Sequence, residues 1–515
     1  MSRLPLAGAV KGPRLALVAL AVALACAARP ALAQTWQLVP SVTAEAAATT
    51  NATFTSKEQA QSDLILDVFP KLAITGRGAR LQVQGDIGIG AVHYVNGSLS
   101  DRLLPRGNLD LKSTLVDRLL YLDGSLSATS SVSDPFAGRV EGTTAFNTLS
   151  TVRAEVSPAL IYAPSTYTQF EARDRTTVIK SSGDLAATDS RRSVRRQDDL
   201  LRFERKPVPL GLTLEASSEK TTYDVQDAVA LSLVTLRATA TWAPNPDVVL
   251  GLRTGRDRSR FELNDFTDPL KGVTLSWKPS DRTELNAVAE QRFFGKGGEL
   301  TFNHRSPYFS VFARLQRAPT TSSDSLGVLP PGSDLAAALD GILASRITNP
   351  LERARAVQDL IISRGLSPTL TQALEVFSES AQLEESATLT LVLLGARHTA
   401  SLTVFSSKAV ALTHPGENSV ALNVRDNRQE GGSLQLGRRL SPQSSVNLFI
   451  SGTRLVGLGV AADLATVSKA LRLSFDQQFS TRTTTSVGVR RQLLYSSQQP
   501  YAQESSVYGS ILHRF

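Results

Sequence analysis

The stretch Leu81-Gln82-Val83-Gln84-Gly85-Asp86-Ile87-Gly88-Ile89 decides the fold class. Its odd positions are mostly apolar and its even positions are polar or glycine, which is the period-two pattern of a β-strand with one apolar and one polar face. The same alternation returns at 210–216, 273–278 and 433–438 and continues almost to the last residue. Turn signals such as Asn96-Gly97 separate these segments.

The number and length of the alternating segments favour a membrane barrel. They predict roughly 16 to 22 strands of about ten residues, which is the length that crosses an outer membrane at a tilt. A soluble all-β sandwich or propeller is the alternative, but it would need apolar residues on facing sheets. In a closed barrel the polar face lines a wet lumen and the apolar face meets lipid. We therefore expect an all-β fold, a large antiparallel transmembrane β-barrel with a short helical insert.

The beginning of the chain is typical of an export signal. Arg3, Lys11 and Arg14 make a positive region, an apolar run follows, and a small-residue cleavage site precedes Gln34. We predict a signal peptide at 1–33 that is cleaved during export through the inner membrane of a Gram-negative bacterium.

The composition limits the partners and the chemistry. The 515 residues have a net charge of +8 and a single cysteine, Cys26, inside the predicted signal. Cys26 raises the alternative of a lipoprotein signal. If the signal peptide is cleaved after residue 33, the mature chain has no cysteine, so it can form no disulfide and no cysteine-based metal site. Cleavage removes Arg3, Lys11, Arg14 and Arg29 and no acid, so the mature charge is 8 − 4 = +4. That charge is too small to indicate nucleic-acid binding.

One dense basic cluster interrupts this modest charge. Arg191, Arg192, Arg195 and Arg196 are followed at once by Asp198-Asp199, which neutralise part of the local field. The cluster is either a solvated loop or a contact for a polyanion such as lipopolysaccharide or an acidic polysaccharide.

Between 324 and 385 the period changes from that of strands to that of helices. Helices are expected to begin near Asp334 and near Asn349. Asn349 is a suitable N-cap residue, because Pro350 and Glu352 follow it in the first turn. Ser367-Pro368 is expected to begin a third helix that continues to 377.

This helical insert would divide the barrel into 34–323 and 386–515. It is a cap that buries its own apolar stripe, a gate in the lumen, or a docking site for a partner, and the sequence leaves these alternatives open. The candidate gate residues are Asn349, Glu352, Arg353, Arg355 and Arg364.

The last residue, Phe515, ends an alternating strand. A terminal Phe in this position resembles the signal by which the barrel assembly machinery of Gram-negative bacteria recognises its substrates. We expect Phe515 to serve as that signal.

The sequence contains no recognisable catalytic or metal-binding motif. The pairs His304 with Ser306 and His398 with Ser401 are candidates for a barrel hydrolase, but serine is abundant enough to make each of them incidental. We expect no enzyme activity and no cofactor or metal.

The chain resembles the uncharacterised outer-membrane β-barrel family associated with the PEP-CTERM/exosortase system of exopolysaccharide-producing Gram-negative bacteria. The resemblance spans nearly the whole mature chain and rests on short motifs in a shared order: Trp36-x-x-x-Pro40, Asp63-Leu64-Ile65 through Phe69-Pro70 and Gly76-Arg77, Tyr121-Leu122-Asp123, Asn349-Pro350-Leu351-Glu352-Arg353, Arg364-Gly365-Leu366-Ser367 and Leu394-Gly395-Ala396-Arg397-His398-Thr399.

This resemblance implies an outer-membrane location and a link to polysaccharide synthesis or export. The first functional hypothesis is a porin-like channel or export component for an exopolysaccharide or its export proteins, embedded in outer-membrane lipid and lipopolysaccharide. The second is a non-conducting barrel that anchors periplasmic or surface partners. A lipid or glycan hydrolase is the third.

Overall fold

A single closed sheet forms the body of the protein. The computed structural model describes residues 35–132, 136, 148–182, 192–224, 231–261, 264–321, 324, 332, 334–367, 370–374, 381–412 and 426–515, so the predicted signal peptide lies outside the described residues. Twenty-two antiparallel strands each pair with the next along the chain, and β1 also pairs with β22. Closure leaves no open edge, as a membrane-spanning sheet requires. The predicted barrel class and strand number are confirmed.

The strands have the following bounds: β1 Thr35–Thr49, β2 Asp63–Arg77, β3 Leu81–Tyr94, β4 Arg102–Val116, β5 Leu120–Val132, β6 Thr148–Tyr162, β7 Thr168–Ser182, β8 Arg192–Arg205, β9 Leu210–Tyr223, β10 Leu231–Asn245, β11 Val248–Phe261, β12 Asn264–Ser280, β13 Thr283–Arg292, β14 Gly295–Arg305, β15 Phe309–Thr320, β16 Gln382–Leu394, β17 His398–Ala411, β18 Asn427–Ser441, β19 Ser444–Gly457, β20 Ala465–Gln478, β21 Thr483–Ser496 and β22 Ala502–Arg514.

The two rims of the barrel differ in their connections. At one rim β1 begins, β22 ends, and the strands are joined by turns of two to five residues; we call it the short-turn rim. At the opposite, long-loop rim most connections are longer. Outer-membrane barrels face the periplasm with their short turns, which assigns the long-loop rim to the outer leaflet.

The period-two pattern sorts side chains between lipid and lumen. Leu103 and Leu252 on the outer face are 72% and 70% exposed, whereas Thr235 and Asp257 on the inner face are 3% and 0% exposed. Ile87 and Ile89 of the stretch that decided the fold point outward. The apolar face therefore meets lipid, and the polar face lines the lumen.

Aromatic side chains gather on the outside of the short-turn rim. Such rings prefer the interface between hydrocarbon and water, where they form girdles. The exposed members are Trp36, Tyr162, Tyr167, Trp242, Trp277, Tyr308 and Phe515.

The connection between β15 and β16, residues 321–381, is called the insert here, and two helices lie in its described part. Helix α1 spans Leu335–Leu343, and the carboxylate of Asp334 caps it by accepting the N–H of Ala336 at 2.8 Å. Helix α2 spans Pro350–Ser363. Because β16 begins at Gln382, the insert runs over 321–381 rather than the expected 324–385.

Gly365 ends α2 in a Schellman motif. Its φ of +60° lets the N–H of Leu366 reach the carbonyl of Ile361 at 2.9 Å and its own N–H reach Ile362 at 3.1 Å. The third expected helix is wrong over 370–374, which has no regular structure. Among the described residues, none of the helices has the length and apolarity to cross a membrane.

The insert has a small apolar core that includes part of the barrel wall. The two helices pack on the inner face of β16, where apolar side chains replace the usual polar ones. The buried members are Leu335, Leu339, Ile342, Leu343, Val357, Leu366 and Leu370 of the insert with Val392 and Leu394 of β16.

Candidate functional site

The insert enters the lumen from the long-loop rim. It leaves β15 at Thr320, and Asp324 then forms an ion pair with Arg196 on the inner face of β8. Further down, the hydroxyl of Thr390 on β16 donates to the carbonyl of Gly332 at 2.8 Å. These contacts place the first part of the insert inside the barrel.

The helices reach the short-turn rim. Arg346, just after α1, donates to the carbonyl of Pro307 at 2.9 Å, and its guanidinium lies 5.2 Å from the centre of the Tyr308 ring. From α2, Arg355 donates to the side chain of Gln37 on β1 at 3.1 Å. Next to it, Asp359 accepts from Arg514 of β22 at 3.4 Å. The insert thus traverses the lumen from one rim to the other.

Arg364 fastens the end of α2 to the β16–β17 turn. Only 8% exposed, it donates to the hydroxyl of Thr399 and, over 3.3–3.4 Å, to the carbonyls of Gly395, Ala396 and His398. Burial, with the neighbouring Arg439 adding to it, lowers the pKa of Arg364. The group stays charged at neutral pH because an arginine starts from so high a value.

The chain then returns along the inner faces of β18 to β20. The amide of Asn447 donates to the carbonyl of Arg364 at 2.6 Å and to Asp476 at 2.8 Å. Higher up, Gln429 accepts the N–H of Leu374 at 2.7 Å and donates to its carbonyl at 3.2 Å. The Gln429 side chain therefore pairs with the backbone groups of Leu374, which in a helix would pair with other backbone groups. This explains why 370–374 is irregular.

The remaining candidate gate residues belong to the helices themselves. The carbonyl of Asn349 accepts the N–H of Arg353 at 3.0 Å in the first turn of α2. The Arg353 side chain bridges to Asp340 of α1 at 2.7 Å, so it holds the two helices together. Glu352 is exposed in the first turn of α2. The structure thus brings Arg355 and Arg364 to the barrel wall and leaves Asn349, Glu352 and Arg353 within the insert.

The basic cluster is split between the two faces of a strand. Arg191 lies outside the described residues, and the backbone of Arg192 begins β8. Arg195 is exposed on the outer face, whereas Arg196 points into the lumen and pairs with Asp198 at 2.7 Å and Glu219 at 3.3 Å. The expectation of a solvated loop is wrong from 192 onward, because alternation along β8 separates adjacent arginines.

A network of paired charges covers the lumen wall on β9 to β13; we call it the lumenal charge cluster. Arg237 pairs with Glu215 at 2.9 Å, Arg292 pairs with Asp257 at 2.8 Å, and Arg253 pairs with Glu290. Three cations balance three acids, all less than about a quarter exposed. This wall is polar but locally neutral, which suits the passage of hydrated solutes.

The two serine–histidine pairs do not form nucleophile–base arrangements. Ser306 accepts two backbone N–H groups in its turn, and His304 bonds Thr283 at 2.8 Å. Ser401 is 3% exposed and faces the lumen, whereas His398 lies on the opposite face of β17. Within the described ranges, no group of three or more His, Cys, Asp or Glu residues could hold a metal ion.

Phe515 lies at the short-turn rim. Its N–H donates to the carbonyl of Pro40 at 2.9 Å, and its ring, 64% exposed, packs edge-on against His513 with centroids 4.8 Å apart. An exposed terminal ring is accessible to an assembly factor, and that role stays a prediction.

Sequence patterns missed the residues of the wall that hold the insert. Thr390, Gln429 and Asn447 are ordinary inward polar positions of their strands, and no local pattern marks them. Only Val392 and Leu394 carried a signal, because apolar residues at successive inward positions break the polar face of a barrel strand.

The barrel is similar to several solved outer-membrane proteins. They include the siderophore receptor PirA from Pseudomonas aeruginosa (11% identity, TM-score 0.40, covering 93% of this chain and 80% of that one). The ferric-catecholate import receptor Fiu from E. coli K12 has 8% identity and a TM-score of 0.48 over 92% and 81%. The outer membrane protein opdK from Pseudomonas aeruginosa has 8% identity and a TM-score of 0.36 over 93% and 99%. No protein-family model and no curated protein matches the chain.

The closed sheet, the lipid-facing apolar band and the polar lumen define an outer-membrane β-barrel. Its lumen holds a helical insert.

Proposed function

We propose that the protein is a porin-like channel or export component whose lumen is restricted by the insert. The observation that carries this proposal is the position of the insert, which is bound to the inner wall from the long-loop rim to the short-turn rim. Its attachments are hydrogen bonds, ion pairs and one small apolar core, so it can be displaced without disturbing the strand pairing. A 22-stranded barrel is wide enough to need such a plug if it is not to leak.

The proposed cargo is a hydrated polymer of the exopolysaccharide class. The lumenal charge cluster offers paired cations and acids, which bind sugar hydroxyls without trapping one sign of charge. The resemblance to the barrel family of the PEP-CTERM/exosortase system supports the same class of cargo.

The experiment removes the insert and measures passage. Thr320 and Gln382 are directly opposite each other on β15 and β16, so a short Gly-Ser turn can replace 322–380 without stretching either strand. We expect liposomes with this variant to swell in neutral oligosaccharides that the full chain excludes. A Glu352→Gln variant should match the full chain. Equal swelling rates with and without the insert would contradict the proposal.

Cells provide the test of the cargo. A strain lacking the protein should lose surface polysaccharide, and the full chain should restore it. A normal amount of surface polysaccharide in that strain would contradict the proposed cargo, and the channel would then carry a different substrate.

A second candidate function is a non-conducting barrel that anchors periplasmic partners. The exposed row Glu352, Arg355 and Asp359 on α2 favours it, because this face lies at the periplasmic rim. Under this alternative neither the full chain nor the variant without the insert conducts, and charge reversal in this row releases a partner that co-purifies with the full chain.

A further inference from the structure

Two carboxylates face the lipid on adjacent strands of the barrel. Asp174 on β7 and Asp199 on β8 are directly opposite each other. They share the outer face with Phe170 and Leu201, which are 44% and 61% exposed, whereas Thr177 on the lumen side of β7 is buried. Like charges in that relation destabilise a sheet, and a charged side chain in contact with hydrocarbon is costly. The pair therefore indicates a binding function rather than a structural one.

The carboxylates lie deep in the apolar band of the outer face. Phe170 and Phe203, whose ring centroids are 4.9 Å apart, mark the edge of the band at the short-turn rim, and each acid is four residues above one of these rings on the same strand. At about 3.3 Å per residue and a tilt of about 40°, this separation is about 10 Å along the membrane normal, in a band about 25 Å tall. An aspartate side chain is too short to reach the headgroups of either leaflet from that depth.

The side chains that contact the two acids within the chain are neutral. Gln197 donates to Asp174 at 3.0 Å and to Asp199 at 3.4 Å, and the hydroxyl of Thr176 lies 3.5 Å from Asp174. Lys220, an outward cation of β9, is opposite Gln197 and not opposite either acid. In the described part of the chain neither carboxylate has an ion-pair partner. A compensating cation would therefore come from another molecule.

An apolar groove begins beside the acids and crosses the outer face of β7 to β11. This β7–β11 groove is a depression of about 770 Å³ between two rows of side chains that run across the strands. The upper row, nearer to the acids, consists of Ala172, Leu201, Ala216 and Leu236, which are successive partners on β7 to β10. The lower row consists of Phe170, Phe203, Leu214 and Ala238. Small residues in a lipid-facing surface let another polypeptide approach closely.

Cations lie at the other end of this groove. Arg256 of β11 is the partner of Leu236 and ends the upper row. Lys271 of β12 is its diagonal neighbour on the same face. Both are exposed, and neither has an ion-pair partner among the described residues, unlike Arg258 and Arg260 farther along β11, which interact with other groups. One face of the barrel thus carries acids at one end of an apolar groove and cations at the other.

We propose that the β7–β11 groove is the interface of a homodimer, in which Asp174 and Asp199 of one copy pair with Arg256 and Lys271 of the second copy. A two-fold axis along the membrane normal near β9 places the acid end of each groove against the cation end of the other, so both sets of charges are paired at once. The leucines of each upper row then pack over the alanines of the other copy.

The heights of the two ends are compatible with this pairing. Asp174 is six residues from the start of β7 at the short-turn rim, and Arg256 is eight residues from the start of β11 at the same rim. The difference of two residues is about 5 Å along the membrane normal. An arginine or lysine side chain is long and flexible enough to span that difference.

A second copy is favoured over lipid as the occupant of the groove because the charges on this face are self-complementary. Acyl chains would fill the apolar part of the groove but would offer the two carboxylates no cation. Ionisable groups inside a membrane are usually paired with one another. The inference is independent of whether the lumen conducts.

Cysteine cross-linking locates the interface. In a chain that carries Cys26→Ser, Ala216→Cys places one thiol on β9 beside the proposed axis. Val489→Cys is the matched control, with its thiol on the outer face of β21 on the opposite side of the barrel. A short bismaleimide is added to outer-membrane vesicles that contain each variant. We expect a cross-linked dimer from Ala216→Cys and none from Val489→Cys. Equal cross-linking of the two variants, or no cross-linking of Ala216→Cys, would overturn the proposal.

Charge variants test the pairing itself. One variant carries Asp174→Asn and Asp199→Asn, and another carries Arg256→Gln and Lys271→Gln. The control is Glu385→Gln, which removes an outward acid that Arg317 of the same chain already pairs at 2.7 Å. Sedimentation equilibrium in neutral detergent measures the dissociation constant of the dimer. Heat-modifiable mobility confirms folding, and the single variant Asp199→Asn serves if a double variant does not fold.

We expect the full chain and the control to dimerise equally well. A polar contact inside a membrane contributes about threefold to tenfold in affinity, and the two-fold axis repeats it, so the dissociation constant of either charge variant should rise about tenfold to a hundredfold. Combining the two variants should raise it no further, because both remove the same contacts. A monomeric full chain, an unchanged constant in either variant, or additive effects in the combination would overturn the proposal.

Discussion

Replacing Arg364 with methionine should release the lower end of the insert. The change keeps the length of the side chain and removes the guanidinium that contacts the β16–β17 turn. The insert then loses one of its polar attachments to the wall, while the strands keep all their pairing. We therefore expect a change in the insert and none in the barrel.

The structure sets the size of the effect. A hydrogen bond from a charged donor contributes about 1.5–3 kcal/mol, but three of the four acceptors of Arg364 lie at 3.3–3.4 Å, where the bond is weak. Burial, which lowers the pKa of Arg364, offsets part of the remaining gain. A net contribution of about 2 kcal/mol follows, equivalent to about a thirtyfold shift from docked to released insert.

Single-channel recording in planar bilayers measures that shift. The Arg364→Met variant should spend about thirtyfold more time in its high-conductance state than the full chain, by the same conversion of free energy to population. Glu352→Gln, on the exposed side of α2, is the matched control and should leave the open fraction unchanged. If Arg364→Met leaves both the open fraction and the tryptic cleavage of α2 unchanged, Arg364 does not hold the insert.

Three further changes test other parts of the structure. Leu339→Ala leaves a cavity at the fully buried centre of the insert core and should destabilise the insert by about 2–5 kcal/mol. We expect faster proteolysis of the two helices, with the heat-modifiable mobility of the barrel unchanged. Slowed proteolysis would contradict a stabilising role for this core. Gly365→Ala places a Cβ within 2.3 Å of the Asp476 carboxylate at a φ of +60°. Because this clash pushes the end of α2 away from the wall, the variant should raise conductance as Arg364→Met does. An unchanged conductance would refute the close approach of Gly365 to Asp476. The hydrogen bonds of His93 and then of the Tyr94 N–H lower the pKa of Asp101. This stabilisation is present above the ordinary aspartate pKa and is lost as the pH falls through the lowered value, so pepsin should cut the 95–101 loop faster toward lower pH, and Asp101→Asn should remove that dependence.

The barrel could be predicted from the sequence because its determinant is local. Each strand repeats the alternation seen at 81–89, and closure follows from the need to pair every backbone group in lipid. The two helices could be predicted for the same reason, because the residues that mark their beginnings, Asp334 and Pro350, are local signals in the sequence.

The position of the insert could not be predicted, because long-range contacts determine it. Arg364 meets Thr399 and Asn447 only after several strands have paired, and Gln429 captures the backbone of Leu374 from across the lumen. The same limit explains the error at the basic cluster. Consecutive charges suggested a loop, and only the strand showed Arg195 facing lipid and Arg196 facing the lumen.

The most direct test of the central claim is the conductance of the barrel with and without the insert. Purified full chain and the variant with 322–380 replaced by a short turn are compared in the same planar bilayers, after heat-modifiable mobility has shown that both are folded. We expect a small or intermittent conductance for the full chain and a large, steady one for the variant. Identical conductance in the two proteins would contradict a lumen restricted by the insert.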